Sequence, residues 1–395
     1  MVIAPLRVSP ASDRYHGLDF LRALMMSLGL VLHAAQLYLV MPIVDYYWDP
    51  MRSLSMDVLL IFINTFRMPT FFMMSGFFTA MLLARRGLDG MRANRYQRVL
   101  LPFVIFLPPL AIIMSLLRVC AYHLMETGQW GFDPALVPQQ VFWNNTHNLW
   151  FLYYLIMYVL TAWFIIKSAA LLPNYLIGWI KRGVMQRSIA SFSSIVVAAL
   201  LLAAVGSTSI TGRISASLSF APELVVYLNF GVCFILGWIL YQKVEDLELL
   251  AKRCWMLLGF ALLSLMVGLA GFALQGEPES SNHTVFHWLL SVGTGFSIVF
   301  FMLGFVGVFH RYFSHYNKWI RYFSDSAYWV FLVHSIPLVI FAMPLYHLEI
   351  VAELKFLIVL TATIIASLVS YQLWVRNTVV GELLNGQRYN EVPWE

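Results

Sequence analysis

The chain has 395 residues, of which 60% are hydrophobic and 11% charged, with a formal net charge of +5. A soluble domain carries about 25% charged residues, so the composition excludes an ordinary soluble globular protein and reads as an all-α, polytopic membrane protein. The positive charge is not gathered into a basic run interleaved with aromatics, which excludes a nucleic-acid partner, and Cys120, Cys233 and Cys254, odd in number and widely spaced, predict neither a structural disulfide nor a metal centre.

In chain order, residues 1–17 contain Arg7, Asp13 and Arg14 without an apolar core and read as a cytoplasmic tail before an uncleaved anchor. A membrane domain over 18–376 follows, then a cytoplasmic tail over 377–395. Apolar runs predict about ten transmembrane helices, at 18–40, 54–84, 99–121, 148–172, 188–206, 222–243, 254–274, 286–309, 327–346 and 352–375. Lys and Arg set the orientation. Arg85, Arg86, Arg92, Arg95 and Arg98 follow span 2; Lys167, Lys181, Arg182 and Arg187 surround the end of span 4. Lys243, Lys252 and Arg253 follow span 6, and Arg311, Lys318 and Arg321 follow span 8. Arg7, Arg14, Arg376 and Arg388 flank the membrane domain on the same side. The opposite loops hold only Arg52, Arg118 and Arg213, with Lys355 just inside span 10. Both termini are therefore expected in the cytoplasm. No internal repeat supports an inverted-repeat transporter.

Span 1 carries Arg22 and His33, eleven positions apart. At about 100° per residue they share one helix face, separated by about 16 Å along the axis. Two ionisable groups on one stripe at membrane depth predict a shared polar cavity. Singly, Arg22 also reads as a snorkelling arginine paired with Asp19, and His33 as a buried histidine bonded to a neighbouring helix. Span 2 would make about 46 Å of helix, too long for a straight crossing, and Arg67-Met68-Pro69 predicts a bend that lines the same cavity. Ser75 beside Gly76 permits close helix contact, or supplies a hydrogen bond or nucleophile. His147, Asn148 and Trp150 open span 4 at the external mouth, where Trp150, Tyr153 and Tyr154 also suit an interfacial belt. His334 is a further polar group within span 9. Arg95 and Arg98 end an arginine run that marks topology and also suits phosphate. His283 and His287, near Glu277 and Glu279, fall short of a metal ligand set.

Together these segments resemble the acyltransferase family 3 membrane proteins, whose signature is an arginine, ten residues and a histidine in the first span. Phe66 to Phe78, spelled Phe-Arg-Met-Pro-Thr-Phe-Phe-Met-Met-Ser-Gly-Phe-Phe, resembles the second-span motif, particularly in the branch containing glucan biosynthesis protein C. Leu149-Trp150-Phe151-Leu152 and Tyr328 to His334 follow in order. One departure is Asn148, where the family often has histidine; His147 stands one position earlier. The resemblance implies an inner-membrane O-acyltransferase moving an acyl group, succinyl by the branch, from cytoplasmic acyl-coenzyme A to a hydroxyl of an extracytoplasmic glycan or glucan. No tightly bound cofactor is expected, and the partners are the donor, the glycan and membrane lipid. In that chemistry His33 is the general base, Arg22 holds an anionic part of the donor, and Arg67 or Ser75 stabilises the oxyanion. Arg95 and Arg98 capture the nucleotide, and His334, Trp150, Asn148 and His147 contact substrate. The alternative is a small-molecule or glycan transporter using the same cavity; a third reading is a non-catalytic scaffold.

Overall fold

The computed structural model describes residues 15–41, 46–137, 145–169, 173, 188–276, 280 and 282–386. The N-terminal tail through Arg14, the segment holding Lys181, Arg182 and Arg187, residues Glu277 and Glu279, and Arg388 lie outside the described residues. Among the described residues the chain is all-helical, with one isolated bridge between Asn145 and Ser219.

Helix α1 (His16–Ala35) tightens into a 3-10 turn, Gln36–Tyr38. Helix α2 (Leu54–Arg95) starts at Ser53, whose hydroxyl accepts from the Ser55 amide, and is buried continuously from Thr65 to Ala80. A helix covered all round sits at the centre of a bundle. A π-helical turn, Tyr96–Leu100, leads into α3 (Leu101–Thr127); α4 (Trp150–Ala169) follows a 3-10 turn at His147–Leu149. Then come α5 (Phe192–Gly206), α6 (Leu224–Gln242), α7 (Asp246–Leu274), α8 (His283–Tyr312), α9 (Lys318–Val333), α10 (Ser335–Ala342), α11 (Ala352–Ser370) and α12 (Val379–Asn385).

The tightest packing is glycine-mediated, as expected where helices associate in lipid. A Cβ on Gly237 of α6 would meet the Met73 carbonyl of α2 at 1.7 Å, and one on Gly76 would meet the Phe234 carbonyl at 2.0 Å. Helices α7 and α8 form a hairpin, with α5 on α8, while α1 packs on α2, α8 and α9.

Every expected apolar range contains helix, but three details differ from the expectation. Helical geometry continues through Pro69, and the non-helical residue inside α2 is Gly87, at φ 68° and ψ −176°. The fifth range holds only 15 residues of helix, about 22 Å against a hydrocarbon core of about 30 Å. Its start is delayed because Asp246 captures the Ser188 hydroxyl and the Ile189 amide, both at 2.8 Å. The ninth range is broken: α9 and the α10 segment meet at His334 with a 63° bend. Seven described helices are long and apolar enough to cross a membrane, or up to eight with the bent pair as one span; the stretch Leu54–Thr127 counts once in that number.

Lys355 does not end in a loop. Its ammonium and the Asp49 carboxylate are both fully buried, with Nζ 2.8 Å from Oδ1 and 3.0 Å from Oδ2. Asp49 also accepts from the Tyr47 hydroxyl and the Met51 amide. The Asp49 amide donates to the Leu37 carbonyl and the Ser53 amide to that of Tyr38, so this buried pair anchors the turn at the end of α1.

Candidate active site

Two polar cavities lie at opposite ends of the bundle. The first, of about 400 Å³, is at the arginine-rich end and is lined by Arg22 of α1, Ser75 of α2, Arg85, Arg86, Arg95, Arg98, and Arg321 and Tyr328 of α9. Among its described lining residues the carboxylates are Asp19, 3.5 Å from Arg22, and Asp325, 2.8 Å from Arg321, so arginines outnumber acids in that set. The Arg22 guanidinium lies over the Phe78 ring, 5.0 Å from its centroid. Arg95 donates to the Thr79 hydroxyl at 2.8 Å, Thr79 donates to the Ser75 carbonyl, and the Ser75 hydroxyl donates to the Phe71 carbonyl at 2.9 Å. The Ser75 proton is thus engaged within its own helix, as is common for serine in a membrane helix.

The second cavity, of about 480 Å³, is lined by His33, Gln36, Asn64, Arg67, Arg118, His147, Asn148, Trp150, Arg213 and Asn229 among others. No aspartate or glutamate is among its described lining residues. Burial pulls the Arg213 guanidinium down to about 10, still charged at neutral pH, and its Nη1 donates to the Ile61 carbonyl at 3.1 Å. Arg67 and Arg213, with no acid among the described lining residues, favour an anion.

His33 Nδ1 is 2.7 Å from Gln36 Oε1, and its ring centroid is 5.2 Å from that of His334. His334, fully buried at the α9–α10 break, bonds through Nδ1 to the Phe331 carbonyl at 2.6 Å, and its Nε2 meets no partner among the described residues. Arg67 is also buried, its Nε without a partner among the described residues, and its guanidinium fills the space above Gly29, where a Cβ would come within 2.3 Å of Nη1. Gly29 precedes His33 by one helical turn, so both side chains meet the same stripe of α1. The structure thus gathers His33, His334 and Arg67.

The spacing predicted one shared cavity for Arg22 and His33; instead Arg22 lines the first cavity and His33 the second. Aromatic rings occupy the middle: Phe71 packs edge-on against Phe151 at 4.9 Å, Phe151 against Phe331 at 4.5 Å, and Phe72 against Trp150 at 6.1 Å. Phe71 and Phe151 line the first cavity, Trp150 and Phe230 the second. Ser75 consequently sits with Arg22, and Arg67 with His33. Arg95 and Arg98 line the first cavity; His147, Asn148 and Trp150 line the second.

His147 and Asn148 both reach the second cavity because they lie in a 3-10 turn, not on the helix, and His147 adopts φ 47°, rare for a residue with a Cβ. Asn148 Nδ2 donates to Ser335 Oγ at 2.5 Å, tying this mouth to the broken span. His283 and His287 stack at 5.7 Å, and His287 bonds the Ser207 carbonyl and the Gln275 side chain. No described group of three or more His, Cys, Asp or Glu could hold a metal ion. Gln36 and Gly29 escaped the sequence reading, although both lie one turn from His33. Arg118 and Arg213 were legible only as topology markers.

The acyltransferase domain family profile matches residues 15–373. Glucans biosynthesis protein C of Shigella dysenteriae serotype 1 (strain Sd197) is 24% identical over 353 residues, covering 84% of this chain and 83% of the relative. The Escherichia coli (strain K12) protein of the same name is 23% identical, with the same coverage. The protein of that name from Salmonella paratyphi B (strain ATCC BAA-1250 / SPB7) is 29% identical over 161 residues, 39% of each chain. No solved structure matches.

Proposed function

The chain belongs to the acyltransferase domain family, and from that membership and the two cavities we propose that this multi-pass membrane acyltransferase moves an acyl group from cytoplasmic acyl-coenzyme A to a hydroxyl of an extracytoplasmic glucan. On this reading the protein lies in the inner membrane with ten crossings and both termini in the cytoplasm, so the arginine-rich cavity faces the cytosol. Acyl-coenzyme A is a substrate, with no resident cofactor required. The observation that carries the reading is the division of labour along α1: Arg22 in a cavity whose described lining holds more arginines than acids, His33 in the opposite cavity.

Arg22, Arg95 and Arg98 bind the nucleotide phosphates, for which guanidinium groups are well matched. The pantetheine arm spans the roughly 16 Å between Arg22 and His33 and brings the thioester toward the second cavity. There His33 takes the proton of the acceptor hydroxyl as its oxygen attacks the thioester carbon. Arg67 stabilises the oxyanion. The C–S bond then breaks, and the imidazolium returns the proton to the departing thiolate. His147, Asn148, Trp150 and His334 contact substrate. A succinyl group is the acyl moiety we favour, because its free carboxylate suits a cavity whose described lining holds Arg67 and Arg213 and no acidic residue. Ser75 lines the donor cavity on this reading.

The test is thioester consumption and acylated-glucan formation by purified protein. His33→Ala should abolish transfer while the protein remains folded. Glycan binding that leaves the thioester intact would favour the transporter; transfer at the wild-type rate in His33→Ala would remove the base assignment.

A further inference from the structure

We propose that Gln36 is a positioning residue for acyl transfer: its side-chain oxygen accepts a hydrogen bond from the Nδ1–H of His33, fixes that tautomer and leaves the Nε2 lone pair for the acceptor hydroxyl. The inference rests on the proposed role of His33 as base. An imidazole can accept a proton in catalysis only through the nitrogen that carries none, and which nitrogen that is depends on the bond the other one makes.

The geometry starts in the backbone. Helix α1 tightens into a 3-10 turn at Gln36, and three residues per turn bring side chains at i and i+3 into line. His33 Nδ1 and Gln36 Oε1 are 2.7 Å apart, and both residues line the second cavity. The turn is held firmly. Leu37 and Tyr38 are fully buried, and their carbonyls accept from the Asp49 and Ser53 amides. Asp49 is itself clamped by Lys355. A positioning group acts only if its own place is fixed, and here the fixing runs from α11 through Asp49 to the end of α1.

The other described groups lining the cavity with His33 are cationic or neutral. His334 stands at the α9–α10 break and Arg67 comes from α2. Arg118 of α3, His147 before α4, and Arg213 before α6 line the same cavity. Asn64 and Asn148 are also among its polar lining residues, but Gln36 is the neighbour in contact with Nδ1. An amide can present its nitrogen instead of its oxygen. A Gln36 that donated to Nδ1 would leave the proton on Nε2 and silence the base, so the two orientations have different chemical consequences.

Two substitutions separate them. Gln36→Glu can only accept; it should keep plateau kcat and move the acidic limb of the pH–rate profile upward by about 1–3 pH units, since a carboxylate beside imidazolium favours the protonated form. Gln36→Leu removes the acceptor at similar volume and should lower kcat by about 10- to 100-fold with the donor KM unchanged. Wild-type kcat and pH profile in Gln36→Leu, or an unmoved profile in Gln36→Glu, would overturn the proposal. His33→Ala, assayed alongside, separates the two claims. If it is inactive while Gln36→Leu is unaffected, only the role of Gln36 falls; if it transfers normally, the base reading falls and takes Gln36 with it.

Discussion

Gly29→Ala is the most economical test of the site, because the structure states what the added methyl would hit. A Cβ at that position would stand 2.3 Å from Arg67 Nη1, whereas ordinary contact begins at 3.4 Å. The guanidinium must therefore withdraw by about 1 Å. It is the far end of a flexible side chain, so the backbone need not move, and alanine gains up to about 1 kcal/mol over glycine in a helix. Folding should be preserved. Catalysis should not be: a misplacement of about 1 Å at a reacting centre can cost about 10²-fold, equivalent to about 2.7 kcal/mol of transition-state stabilisation. Initial rates of acyl transfer in detergent, with size-exclusion profiles to confirm folding, measure this directly. Because the effect runs through Arg67, Gly29→Ala should add almost nothing in an Arg67→Ala background. A wild-type rate in Gly29→Ala, or an equal fractional loss with and without Arg67, would refute the reasoning.

Arg22→Lys keeps charge but loses the planar fork, so the KM for acyl-coenzyme A should rise more than that for the acceptor, and Arg22→Ala should be worse; unchanged donor dependence in both returns Arg22 to a snorkelling role. Lys355→Met leaves the Asp49 carboxylate buried without its counter-ion and should cost about 3–5 kcal/mol of stability, read as a lowered melting temperature, while Lys355→Met combined with Asp49→Leu should recover most of it. Cysteine labelling at positions 85–98 should occur only from the cytosol and at 275–285 only from outside; the opposite pattern inverts the proposed topology.

The helices were legible because apolar runs dominate the chain, and the irregularities were not because they depend on neighbours. Two prolines show the difference. Pro69 deletes one backbone bond, and α2 keeps helical dihedrals through it, in a stretch where other helices surround the chain and can satisfy the freed groups. Pro337 attracted no attention within an apolar run, yet the break falls at His334. A proline has no N–H for the carbonyl four residues earlier, here Val333, and its ring crowds that carbonyl; Val333 is where α9 ends. Local sequence offered the same signal twice. At 334 the His334 ring meets the Phe331 carbonyl three residues back, a local bond; the tertiary contribution is Asn148, which holds Ser335 across the gap.

The site divides along the same line. Helical periodicity fixes azimuth, so Arg22 and His33 were correctly placed on one face. It says nothing of what other helices insert between them. Phe71, Phe151 and Phe331 come from three separate helices, and each alone reads as core; only the fold stacks them across the middle of the stripe. If acyl-coenzyme A enters through the arginine-rich cavity, its thioester must pass these rings to meet His33. On the proposed reading the same rings separate the second cavity from water on the donor side, and excluded water strengthens the electrostatics of transfer and suppresses hydrolysis. A spacing that looked like one cavity thus encodes two compartments joined by a single helix, which is the arrangement a reaction across a membrane requires.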